Sequence, residues 1–219
     1  MAKTDDQMLN GTQQEKGFSP LPKTNAELIA HYISRVTNPL FLVPPIFFFV
    51  AVKTAPDLLH ALLWWGIICL GLSTAPILFV RAGVRRGHYD DVHVSVRSQR
   101  TVPLLFGLAC MGLVFLLLIV LHAAAALIAT VTAALLALAC ATVITHYGKW
   151  KISLHLVGIS GCVTVLCLLA GPVFLCLSPL VVLVGWARWK VQGHTLMQTL
   201  AGATLAVFLT ILIFKIFGL

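Results

Sequence analysis

Carboxylates are scarce in this chain. Of 219 residues only seven are Asp or Glu, and beyond residue 60 only Asp90 and Asp91 remain. A magnesium-dependent prenyltransferase or a di-metal hydrolase needs several carboxylates facing one cavity. Any phosphoryl chemistry therefore falls to Arg, Lys and His, with no metal and no cofactor expected. Charge of either sign is thin: 10% of residues are charged and 59% hydrophobic, outside the soluble globular range. Paired Cys-x-x-Cys spacings are missing too. Cys69, Cys110, Cys140, Cys162, Cys167 and Cys176 all lie inside apolar runs, so they read as small buried apolar side chains rather than disulfides or ligands. No secretory signal is evident, because the first 37 residues mix both charge signs and lack an apolar h-region.

What the chain does have is long apolar runs, and a run of 18 or more residues reads as a membrane span. Seven are expected: about Leu40–Val52, Leu58–Val80, Val102–Leu121, Ala123–Thr145, Leu156–Gly171, Val173–Trp186 and Leu196–Phe217. The first is short and carries Pro44-Pro45, which marks it as kinked or partial. Residues 38–219 thus form an all-α, polytopic membrane helix bundle of about six to seven transmembrane spans. Residues 1–37 form a polar N-terminal arm. Within it Thr24-Asn-Ala-Glu27 is a capping box opening a helix to about Val36. Ile29, Ile33 and Val36 share one face, which suits a helix lying in the membrane interface or a simple leader into the first span.

Basic connections alternate with nearly bare ones. Arg81, Arg85, Arg86, Arg97 and Arg100 precede the third span, Lys149 and Lys151 the fifth, Arg188 and Lys190 the last. Two spans separate each group from the next, so all three emerge on one face. The positive-inside rule puts that face, and the N-terminus, in the cytoplasm of a multi-pass cell-membrane protein. Attraction to anionic lipid headgroups is the other reading of the same basic surface. The spans three and four are joined at His122-Ala123, and five and six at Gly171-Pro172, as tight uncharged hairpins.

Three clusters on the basic face can carry chemistry. Arg188 can grip two phosphate oxygens. His194 and Gln198 are four apart on one helix face, so the Gln198 side-chain oxygen can accept from one imidazole nitrogen and leave the other free to attack. Ser153 and His155 lie two apart at the membrane edge, a hydroxyl for a phosphoryl oxygen and an imidazole to protonate a leaving alkoxide. His93, Arg97 and Arg100 complete the set, and Lys151 is either a phosphate contact or a surface residue. His31, His60, His88, His122 and His146 read as interfacial polar residues, and Trp150, Trp186 and Trp189 as headgroup-level anchors. Gly202, between Ala201 and Ala203, reads as close helix packing.

These spacings resemble the type 2 phosphatidic acid phosphatase superfamily, whose signatures are K-x6-R-P, then P-S-G-H, then S-R-x5-H-x3-D. Here His93-x6-Arg100, then Ile152-Ser153-Leu154-His155, then Ala187-Arg188-x5-His194-x3-Gln198 occupy those places, from about the second span to the end of the chain. The order matches, and each motif departs at one position or more. His93 stands for lysine, Thr101 follows Arg100 in place of proline, Ala187 stands for serine and Gln198 for aspartate. The resemblance implies a metal-independent phosphatase acting on a lipid phosphate or diphosphate (polyprenyl phosphate, phosphatidic acid or similar), with the tail left in the bilayer. His194 would form a phosphohistidine, oriented by Gln198. Arg188, Arg100, Arg97, His93 and Ser153 would bind phosphate, and His155 would act as acid and then base. The partners implied are the bilayer and a lipid phosphate, with no nucleic acid. The alternatives are a catalytically weak or inactive lipid-phosphate-binding protein and a lipid phosphotransferase of the same superfamily.

Overall fold

Among the described residues (24–92, 94, 96, 98–191 and 193–219 of a computed structural model) every regular element is helical. Five helices are long and apolar enough to cross a membrane, and six if one bent pair counts as a single span. The chain is thus a polytopic helical bundle, with fewer full spans than the seven apolar runs suggest. Two runs fall short of the roughly 20 residues a bilayer needs. The run at 40–52 lies in a 16-residue helix bent by 49° from the helix before it, and the run at 156–171 in one of 17 residues.

Helix α1, Asn25–Val36, opens on Thr24, whose Oγ1 accepts the Glu27 N–H at 3.2 Å. It packs on the bundle through Ala30 and Ser34, both buried, and through Ile33. Leu28, Ile29, Tyr32 and Val36 point away from the protein. Of the three apolar residues expected to share one face, Ile29 and Val36 face outward, where lipid would meet them, while Ile33 packs inward.

Helix α2, Pro39–Thr54, contains Pro44 and Pro45. Pro44 has no N–H to offer the carbonyl of Leu40, one turn back. The Ser73 hydroxyl makes that bond instead, at 2.6 Å, as membrane interiors demand of freed carbonyls. Ser73 belongs to a π-helical turn, Cys69–Thr74, that links α3 (Leu58–Ile68) to α4 (Ala75–Arg85) in one 28-residue rod. At 1.5 Å per residue the rod is about 42 Å long, well beyond a hydrocarbon core of about 30 Å. Its surplus length carries Arg81 and Arg85.

Helices α5 (Thr101–Val120) and α6 (Ala125–His146) are joined by a short connection in which His122 takes a left-handed φ of 51°. Helix α7 (Leu154–Ala170) ends at Gly171, φ 106°, which a side chain would strain. A 3₁₀ segment, Pro172–Leu177, leads into α8 (Ser178–Lys190), and α9 (Leu196–Ile216) closes the bundle. Large apolar side chains such as Leu58, Leu70, Val120, Val182 and Leu200 are exposed on the outside, while Ala129, Ala133, Ala137 and Ala141 are buried beside larger core residues such as Ile68, Leu127 and Phe214. An apolar exterior suits a lipid surround, where small residues let neighbouring helices approach closely. All six cysteines are free, as expected of residues outside disulfides, and they are less buried than expected, five being half-buried and Cys176 exposed.

The α2–α3 and α5–α6 connections share one cleft. The segments entering α5, α7 and α9 meet at the other end of the bundle, as the alternation of loops required. Helix α9 packs most extensively on α7. Its Gly202 touches the chain just before α7, where an added Cβ would stand 2.7 Å from the Ser153 carbonyl oxygen. Backbone cannot yield there as a side chain can. Gly202→Ala should therefore lower stability by about 1–3 kcal/mol, seen as a lower thermal midpoint in detergent. An unchanged midpoint would show that the α7–α9 contact is looser than described.

Candidate functional site

Between Arg188 and His194 the chain passes from α8 towards α9 by folding on one carbonyl. The N–H groups of Gly193 and His194 both donate to the Arg188 carbonyl, at 3.1 and 3.3 Å. This explains the six-residue spacing, since the loop returns the imidazole to the turn that bears the guanidinium. Gly193 makes room for it: an added Cβ would lie 2.5 Å from Arg188 Nη2.

His194 is buried, and its Nδ1 lies 3.0 Å from the carbonyl oxygen of Lys151. A carbonyl only accepts, so Nδ1 carries the proton and Nε2 keeps its lone pair. Burial first, then the charges of Arg188, Arg100 and Lys151, hold the imidazole down to about 2, against the opposite pull of the Lys151 carbonyl. The ring is neutral at physiological pH, in the tautomer that leaves Nε2 nucleophilic.

Gln198 does not reach the ring. Its Oε1 accepts the Thr195 N–H at 3.1 Å while its own N–H donates to Thr195 Oγ1 at 3.3 Å. This is a complete capping box at the start of α9, and the orienting role expected for the amide passes to a main-chain carbonyl. The spacing was legible: Thr195-x-x-Gln198 has the same form as Thr24-x-x-Glu27, and the helix-face reading hid it.

Arg100, Lys151, Arg188, His155 and His194 line one cavity of 790 Å³, and Asp91 is the carboxylate among its described lining residues. The three cations lie within electrostatic range of one another. Arg100 Nε donates to the Val94 carbonyl at 2.8 Å. Arg188 Nη1 donates to the Ser34 hydroxyl, while its buried Nε has no partner among the described residues. The Ser34 carbonyl accepts from His155 Nε2 at 2.9 Å. Ser153, by contrast, is fully buried outside the cavity lining, with its hydroxyl unpartnered among the described residues. His93 and Arg97 lie outside the described residues.

One contributor, Ser34, carries no motif in the sequence. Ser34 binds both Arg188 and His155, and it lines the cavity with His31 and Arg35 of α1 and with Asn38, the cap of α2. The i, i+3, i+4 spacing of His31, Ser34 and Arg35 is the available signal. Lys151 is half-buried and lines the cavity rather than standing on the outer surface. Burial, then Arg100 and Arg188, push its ammonium down to about 7, against the pull of Asp91. No family model matches the chain, and no curated protein and no solved structure matches it.

Two predictions follow from this geometry. A bound dianion favours protonated Lys151 and raises its pKa above the free value near 7. Sulfate affinity should therefore fall about tenfold per pH unit just above 7, and Lys151→Met should bind weakly with a flat profile; calorimetry between pH 6 and 9 reads both. At the helix start, Gln198→Ala should cost about 1 kcal/mol of stability while Gln198→Glu, which preserves the box, keeps the wild-type midpoint. A large activity loss in Gln198→Glu with an unchanged midpoint would return the amide to the chemistry.

Proposed function

We propose that this protein is a metal-independent lipid phosphate or diphosphate phosphatase of the cell membrane, working through a phosphohistidine. The observation that carries the reading is a single cavity in which Arg100, Lys151 and Arg188 gather around a neutral histidine whose free nitrogen is Nε2. The motif resemblance to the type 2 phosphatidic acid phosphatases supports it, as does a set of helices fit to hold the site at a bilayer edge.

In this mechanism Arg100, Lys151 and Arg188 hold the phosphoryl oxygens, where preorganised charge is most effective. Nε2 of His194 attacks phosphorus, the N–P bond forms and the P–O bond to the lipid breaks. The leaving alkoxide takes a proton from His155. Water then attacks phosphorus, His155 takes its proton, and the N–P bond breaks to release phosphate. Lys151 takes the place that Ser153 was expected to fill, and its main-chain carbonyl serves where the superfamily uses a carboxylate. A neutral carbonyl stabilises the imidazolium less than aspartate would, and the bound dianion supplies part of what is missing. The basic loops favour a cytoplasmic site.

One observation favours a rival. His155 Nε2 is committed to the Ser34 carbonyl, as it would be in a lipid-phosphate binder without turnover. The two readings separate in one assay. Purified protein in detergent with EDTA should release phosphate from a lipid phosphate, and His194→Ala should reduce the rate by on the order of 10³ or more. Binding without release would establish the rival, and activity that needs a divalent metal or survives the substitution would refute the mechanism.

A further inference from the structure

The cavity does not end at the cations. Beyond Arg100 and His194 it continues between α2, α5, α6, α7 and α9, reaching Met111 on α5, Thr130 on α6 and Thr210 on α9. Helical rise places Met111 about 16 Å beyond Arg100, and Thr210 about 21 Å beyond the start of α9. The shaft therefore passes the middle of a hydrocarbon core about 30 Å thick. Its deep wall is small and apolar, with Ala133, Ala134, Ala137, Gly161 and Ala206. Thr130 adds no polar demand, because its hydroxyl donates to the Ala126 carbonyl at 2.7 Å.

A cationic mouth opening on an apolar shaft is complementary to an amphiphile with an anionic head. At 790 Å³ the whole space suits one ligand of modest size, head and single chain together. A glycerophospholipid would have to leave at least one of its two chains outside. We infer that the shaft takes the tail of the substrate, and that the substrate is a lipid phosphate with a single hydrocarbon chain. The headgroup half of this inference rests on the phosphatase reading; the tail half rests on the shaft. The tail then lies inside the bundle, not in the surrounding bilayer.

Ala137 and Gly161 set the bore. Ala137 is nine residues from the end of α6 and Gly161 seven from the start of α7, so both stand about 10–13 Å below the basic end. A Cβ at Gly161 would meet only Ala206 Cβ and Thr210 Oγ1, at 3.9 Å each. A larger side chain at either place fills the shaft without touching the cations.

The test compares farnesyl phosphate, a lysophosphatidate, dioleoyl phosphatidate and butyl phosphate with the full chain in detergent. Both single-chain lipids should exceed the diacyl lipid in kcat/KM, and their ratio tells an isoprenoid from an acyl source. Ala137→Phe should lower the ratio of kcat/KM for farnesyl phosphate to that for butyl phosphate about tenfold or more. Should that variant not fold, Gly161→Leu carries the same comparison. Equal turnover of single-chain and diacyl lipids, or an unchanged ratio in the folded variant, overturns the inference. If no compound releases phosphate, the phosphatase reading falls separately, and binding of radiolabelled farnesyl phosphate decides the shaft. Saturable binding lost in the variant supports it, and binding absent in the wild type or equal in both overturns it. A photoreactive group at the chain end should label residues near Thr130 and Thr210, whereas labelling of the outward-facing Leu200 and Phe208 overturns it.

Discussion

Positive charge held at the edge of an apolar bundle, with little negative charge to balance it, is the condition on which the rest of this structure depends. Arg100, Lys151 and Arg188 share a cavity whose described lining offers one carboxylate, Asp91. Removing ions from water costs several kcal/mol each unless hydrogen bonds and opposite charge offset it. The fold answers mainly with neutral oxygens. The Val94 carbonyl faces Arg100, and does so from a left-handed φ of 46°, strained for a β-branched residue. The Ser34 hydroxyl faces Arg188. His194 contributes no charge, and Arg188 Nε is left without a partner among the described residues. An anion entering this space meets donors already oriented, with Asp91 the one carboxylate among the described lining residues.

Much of the architecture was legible because it follows from arithmetic on apolar runs. Two spans between successive basic loops put Arg100, Lys151 and Arg188 at one end, and the structure has them around one cavity. Thr24 was readable as a cap because a side-chain oxygen three residues before an N–H has a fixed geometry, and Gly202 as a packing site because small residues mark close helix contacts. Length was less legible than hydrophobicity. The 40–52 run was readable as short and kinked from its length and its prolines, but the shortness of the 156–171 run shows only in the helix boundaries at Ser153 and Gly171.

The site's wiring was less readable, for a different reason. The partner of His194 is a main-chain carbonyl, and every residue has one, so no spacing points to it. Gln198 was assigned by helix periodicity to a neighbour on its own face, while the N-terminal geometry of α9 gave it to Thr195. Ser34 lies 121 residues before His155 and 154 before Arg188, distances at which only the folded chain carries information. The shaft is likewise a tertiary product, since its alanines and glycines were readable as packing residues but not as the wall of an opening.

Ser34 has a consequence for how the site is kept together. One residue of α1 holds the guanidinium by its hydroxyl and the distal imidazole by its carbonyl. The helix that carries it turns Leu28, Ile29, Tyr32 and Val36 to the surroundings. The two halves of the site thus share one point of contact, on a helix that turns apolar side chains outward. A displacement of α1 would break both bonds at once, so the seating of that helix bears on the guanidinium and the imidazole together.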